Sequence, residues 1–148
     1  RSAFWAELLS SLRFDDPEQM PARATGSKTI VFPLQSKTGM GITCYFSQSD
    51  GCIGVFLRIN RSNSLGMEVG RRLYADREAV AAEFSVPLRW SVEKDGKLQI
   101  LARKPFSDLQ APDVREEELS WFRSTVREFA RVLRPRIDLL AAEIGEGG

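Results

Sequence analysis

The chain contains no histidine, and that gap removes more chemistry than any residue present suggests. A Ser-His-Asp or Cys-His arrangement, a histidine zinc site and a histidine general base all need an imidazole that titrates near neutrality. Cysteine is nearly as scarce. Cys44 and Cys52 are the only two in 148 residues, too few for a disulfide framework. No apolar run approaches the roughly 20 residues of a membrane helix, and Arg1-Ser2-Ala3 lacks the basic-then-apolar form of a secretory signal. A soluble, cytoplasmic protein with no membrane partner is therefore expected. Charge of one sign is not in excess either: 21 Lys and Arg face 20 Asp and Glu. No net field draws the chain to nucleic acid or anionic lipid, so any such binding needs a local patch. Gly39-Met40-Gly41 and Gly66 to Gly70 lack the lysine-bearing glycine pattern of a phosphate loop. No cofactor is implied.

What is present specifies a fold. The length suits one domain able to bury its own core, expected over residues 1–144 with a disordered tail over 145–148. Phe4, Trp5, Leu8, Leu9 and Leu12 recur at helical spacing, and Phe14-Asp15-Asp16-Pro17 ends that helix. Glu18 to Ser27 reads as a loop, and Thr29 to Phe32 as a strand stopped by Pro33. Gly41 to Gln48 and Cys52 to Ile59 read as hairpin arms around a two-residue Asp50-Gly51 turn. That turn would set Phe46 opposite Val55, Cys44 opposite Leu57 and Ile42 opposite Ile59, with Cys44 on the apolar face and Cys52 on the other. After a polar stretch from Arg61 to Gly70, Arg71 to Tyr74 and Asp76 to Phe84 look helical, with Asp76 as N-cap and Leu73, Val80 and Phe84 inward. Leu88, Trp90 and Val92 alternate as a strand, as do Leu98, Ile100 and Ala102, joined by a three-residue loop with Gly96 left-handed. A long last helix follows, capped by Asp113 with Glu116 and striped by Leu119, Phe122, Val126, Phe129, Leu133, Ile137 and Leu140. Pro135 predicts a kink or break near Leu133. The expected architecture is α+β: an antiparallel sheet of about five strands, an N-terminal helix, a helical crossover and a long C-terminal helix on one face.

Phe4-Trp5, the strand Val55-Phe56-Leu57-Arg58-Ile59, and the run from Glu83 through Pro87-Leu88-Arg89-Trp90 to Leu98-Gln99-Ile100 resemble a bacterial family known as domain of unknown function 4268. Trp121-Phe122 and Arg134-Pro135-Arg136-Ile137 are also similar. The resemblance implies a nucleic-acid setting in bacterial restriction and defence systems, where such domains stand alone or behind nuclease-like domains.

Candidate site residues are few. Arg58, Arg61, Arg71 and Arg72, near Phe56 and Tyr74, have the composition that grips phosphates or stacks bases; solvated arginines balancing Glu68 and Glu78 are the plainer reading. The preferred function is a non-catalytic binding module, contacting nucleic acid or a partner protein through those arginines. A divalent-metal nuclease, or an inactive relative of one, is the alternative: Asp95-Gly96-Lys97 has acid-x-lysine spacing, with Asp50 or Glu83 as further acids. A hairpin turn explains the same triplet. Arg123, Arg127, Arg131 and Arg134 follow helical spacing and read as an ordinary solvent face. A third possibility is a homodimer through the last helix, packed by Phe122 and Phe129.

Overall fold

Alternating apolar residues on five of the strands decide the architecture, because a sheet with one apolar face must bury it under another layer. The computed structural model describes residues 2–24, 28–106 and 112–147. In chain order the elements are α1 (Ser2–Ser11), β1 (Arg23–Ala24), β2 (Thr29–Gln35), β3 (Met40–Ser47), β4 (Cys52–Arg58), α2 (Ser64–Ala75), α3 (Arg77–Ala82), β5 (Arg89–Val92), β6 (Leu98–Pro105) and α4 (Pro112–Gly147). The six strands form one sheet in the order β1-β2-β3-β4-β6-β5, antiparallel at every pairing. The fold is thus the expected α+β arrangement, with the two-residue β1 added at one edge.

Ile30 and Phe32, Ile42, Cys44 and Phe46, Ile53, Val55 and Leu57, and Leu98, Ile100 and Ala102 point to the buried face of the sheet. The helices supply the other half of the core: Phe4, Trp5 and Leu8 from α1, Val69 and Leu73 from α2, and the α4 stripe from Leu119 to Ile137. Phe4, Trp5, Phe46 and Phe122 meet mostly edge-on, with centroids 4.9 to 6.0 Å apart, the geometry that ring quadrupoles favour. Phe122 and Phe129 are fully buried in this core. They are not available to pack a homodimer through α4.

Several local expectations are corrected. The β3–β4 connection is a four-residue loop, Gln48 to Gly51: Ser47 pairs with Cys52, Phe46 with Ile53, Cys44 with Val55 and Ile42 with Leu57. The Ser47 hydroxyl donates to Asp50 Oδ2 at 3.1 Å and accepts from the Asp50 N–H, closing the wider loop. The register therefore slips by two residues. Side chains alternate with period two, so Cys44 stays inward and Cys52 outward, both as free thiols.

Pro33 lies within β2. It sits beyond the end of β1, and its carbonyl accepts from Gln19 Nε2 at 2.7 Å, so its backbone faces away from the β3 ladder, where a missing N–H costs nothing. Helix α2 begins at Ser64, seven residues before the expected start, because the Asn63 side chain accepts from the Gly66 N–H and caps it. Asp76 holds the N-cap position of α3 but makes no capping bond; its carboxylate accepts from Arg136 Nη1 at 2.8 Å. Asp113 falls inside α4, which starts at Pro112, and Glu116 bonds Arg123. Helix α4 runs unbroken through Pro135 to Gly147, so residues 145–147 extend the helix. The carbonyl that Pro135 leaves without its helical donor belongs to Arg131, an exposed residue.

The three-residue loop Lys94-Asp95-Gly96 is as expected. The Glu93 N–H donates to the Lys97 carbonyl at 2.9 Å, and Gly96 takes φ +91°, a conformation that side chains disfavour.

Candidate functional site

Of the four arginines expected to act together, Arg58 and Arg61 line one groove, while Arg71 and Arg72 stand on α2. Arg58 ends β4, exposed on the face opposite Leu57. Arg61 ion-pairs with Glu93 and donates to Asp95 Oδ2 at 2.6 Å. Arg71 and Arg72 share Glu68, which lies one helical turn back on α2. The bond from Arg71 holds Glu68 below the usual carboxylate range. Asp95 is held low first by the Lys97 backbone N–H and then by Arg61. Both carboxylates are thus charged at neutral pH, so Arg61 is met by two acids, whereas Arg71 and Arg72 divide one between them. Glu78 takes no part.

The acids of the nuclease alternative are not brought together either. Asp50 sits in the β3–β4 loop against Ser47. Glu83 follows α3 and accepts from Arg136 Nε at 3.2 Å. Asp95 lies on the β5–β6 hairpin with Lys97, whose N–H it accepts. Asp50 and the Arg61–Asp95 pair lie beyond opposite ends of β4, a strand of seven residues or about 20 Å. Among the described residues no three His, Cys, Asp or Glu side chains are placed to hold a metal ion.

The arginines of α4 tie down loops. Arg123 reaches Glu116 and Ser11, Arg127 reaches Asp15, Arg131 reaches Glu128, and Arg134 reaches Asp16 and the Gln19 side chain.

A different surface emerges on the outer face of the sheet. Among the described residues the helices all pack on the inner face. The paired registers set the outward residues in rows that cross the strands. One row runs Arg23, Val31, Thr43, Phe56, Leu101, Arg89, an apolar line with an arginine at each edge. A second runs Thr29, Tyr45, Gly54, Arg103, and a third Pro33, Gly41, Arg58. No strand contains an Asp or Glu. Arg23, Arg58, Arg89 and Arg103 are exposed, and none has a carboxylate partner among the described residues.

Two half-buried rings lie between these arginines. Tyr45 and Phe56 have centroids 5.8 Å apart at 55°. The Tyr45 ring lies across Gly54, where a Cβ would come within 2.3 Å of it; only glycine leaves that room. Burial, followed by the neighbouring Cys52, pushes the Tyr45 hydroxyl up from its ordinary value, so it stays protonated. Beside Phe56 a shallow groove of about 540 Å³ is lined by Val31, Thr43, Arg58, Asn60, Arg61 and Lys97 among others. Thr43 is 5% exposed, and its Oγ1 has no hydrogen-bond partner among the described residues, which is rare for a buried hydroxyl.

Sequence reasoning found Arg58 and missed Arg23, Arg89 and Arg103. The signal for two of them was present. If Leu98, Ile100 and Ala102 face inward, then Arg103 faces outward, and Arg89 follows from Leu88 and Trp90 in the same way.

No family model, curated protein or solved structure matches the chain.

Proposed function

We propose that this protein is a non-catalytic binding module that takes nucleic acid on the outer face of its sheet. The observation that carries the reading is one of charge. Arg23, Arg58, Arg89 and Arg103 stand exposed, without a carboxylate partner among the described residues, on strands that hold no acidic residue. The chain as a whole is nearly neutral, so a face of one sign is a local feature. Guanidinium groups are weakly hydrated and present donors in a fork that matches phosphate oxygens. The separation of Asp50, Glu83 and Asp95 favours binding over metal-dependent cleavage. Placement in a bacterial nucleic-acid-processing or defence system rests on the resemblance to domain of unknown function 4268 alone.

The test is fluorescence anisotropy with labelled oligonucleotides of mixed sequence. Affinity should fall as salt rises, as expected when phosphates exchange counterions for arginines. Reversing Arg58 and Arg103 together to Glu should weaken binding at least tenfold, on the order of 1.4 kcal/mol or more. Reversing Arg123 and Arg127, which lie on α4 beside Glu116 and Asp15, should leave it within about twofold, because their charges are already met. Absence of binding by the unaltered protein, or equal loss from both pairs, would overturn the assignment.

A further inference from the structure

We infer that the bound polymer is single-stranded, with bases stacked on Tyr45 and Phe56 and phosphates held by Arg58 and Arg103. This rests on the nucleic-acid reading above and narrows it. Outward positions along β4 run Gly54, Phe56, Arg58, and Arg103 stands opposite Gly54 on β6. Along the strand direction Arg58 lies beyond Phe56, and Arg103 lies level with Tyr45 across Gly54, which sets the two arginines four residue steps or about 13 Å apart at 3.3 Å per residue. A duplex hides its base faces within its own stack, so it could offer these rings only groove edges and backbone. A single strand offers the faces themselves, and an aromatic surface with arginines beside it is the arrangement that holds it without regard to sequence.

Two local features fit that occupant. Gly54 leaves room for the Tyr45 ring, which stands 5.8 Å from Phe56 and inclined to it by 55°, so two rings from adjacent strands lie side by side. At the Arg58 end Phe56 meets the groove, whose lining includes Thr43. The Thr43 hydroxyl has no hydrogen-bond partner among the described residues, and the polar edge of a base seated there offers it one.

Three labelled probes of matched length decide the matter: a single strand of mixed sequence, its blunt duplex, and poly-glutamate. The single strand should bind at least tenfold more tightly than the duplex. Phe56→Leu and Tyr45→Leu, which keep an apolar side chain but no ring, should each weaken single-strand binding by about five- to a hundredfold. They should leave duplex binding and the salt dependence unchanged. Arg58→Gln and Arg103→Gln should weaken both nucleic-acid probes and flatten the salt dependence by about one phosphate each. Photocrosslinking of an iodouracil-substituted single strand to the unaltered protein reads the same contact without any variant; crosslinks should map to Tyr45 or Phe56. Equal affinity for single strand and duplex, no effect of ring removal, or crosslinks confined elsewhere would overturn the single-strand inference and leave the nucleic-acid reading in place. Failure to bind either nucleic acid, or tighter binding of poly-glutamate, would overturn both.

Discussion

Helix α4 and the outer face of the sheet treat their arginines in opposite ways. On the helix Arg123, Arg127, Arg131, Arg134 and Arg136 each reach a carboxylate, and most of these pairs fasten a loop or α3 to α4. On the outer side Arg23, Arg58, Arg89 and Arg103 reach none among the described residues. The difference is geometric. Helix α4 is crossed by other segments, so a long side chain leaving it meets a second segment within its own length. A strand residue on an uncovered face has as neighbours only what lies two residues along or on the adjacent strand, and here those neighbours are apolar, small or uncharged. A basic series on a covered helix is therefore weak evidence of a docking surface, and an unpaired arginine between apolar strand residues is stronger evidence.

The widest separation between the sides should appear in stability. Phe122→Ala removes a ring enclosed by Phe4, Trp5 and Phe46 and should cost about 3–5 kcal/mol in urea unfolding. Phe56→Leu on the outer face should cost no more than about 1.5 kcal/mol. Equal costs would mean that the outer face is a second core.

A smaller test lies in the acid limb of the stability curve. Glu118 is buried on α4, with Oε1 3.6 Å from Lys104 Nζ and Oε2 without a hydrogen bond. Burial pushes its carboxyl above the ordinary value, against the pull of Lys104. The unfolded chain then releases this proton more readily than the folded one, so rising pH favours unfolding through this group. Its contribution should be most favourable below the ordinary value of 4.5 and should decline until the pH passes the raised folded value. Glu118→Gln should flatten that part of the profile in thermal melts; an unchanged slope would place the pH dependence elsewhere.

The smallest effect concerns the arginines themselves. Arg134→Ala frees Asp16, Gln19 and the Leu34 carbonyl and should cost about 1 kcal/mol. Arg103→Ala should lie within about 0.5 kcal/mol of the unaltered protein. A reversal of that order would remove the contrast from which the binding face was read.

Much of the architecture could be read from periodicity. The α1 and α4 stripes, the alternation of β3, β4 and β6, and the left-handed Gly96 all depend on residues within one or two turns or strands of each other. What escaped reading depends on partners distant in the chain. Asn63 caps α2, yet it stands in a polar run that reads as loop. The hairpin register followed from Ser47 engaging Asp50, a bond that Asp-Gly alone does not reveal. Asp76 and Glu83 looked like a cap and a free acid until α4 returned Arg136 to them. The outer face escaped for another reason: attention to the inward residues of each strand left the alternate positions uncounted, and only the paired registers put those positions into rows.

Pro33 has a consequence for contact between copies of the protein. Past the end of β1 no strand among the described residues pairs with β2, and Gln19 stands against it there; a margin without a strand is where one from another molecule can add itself. At this point the ring nitrogen has no hydrogen to give, and the carbonyl is already occupied by the Gln19 amide. An incoming strand finds no donor at that residue and an acceptor already engaged, which disfavours strand addition at this point of the margin.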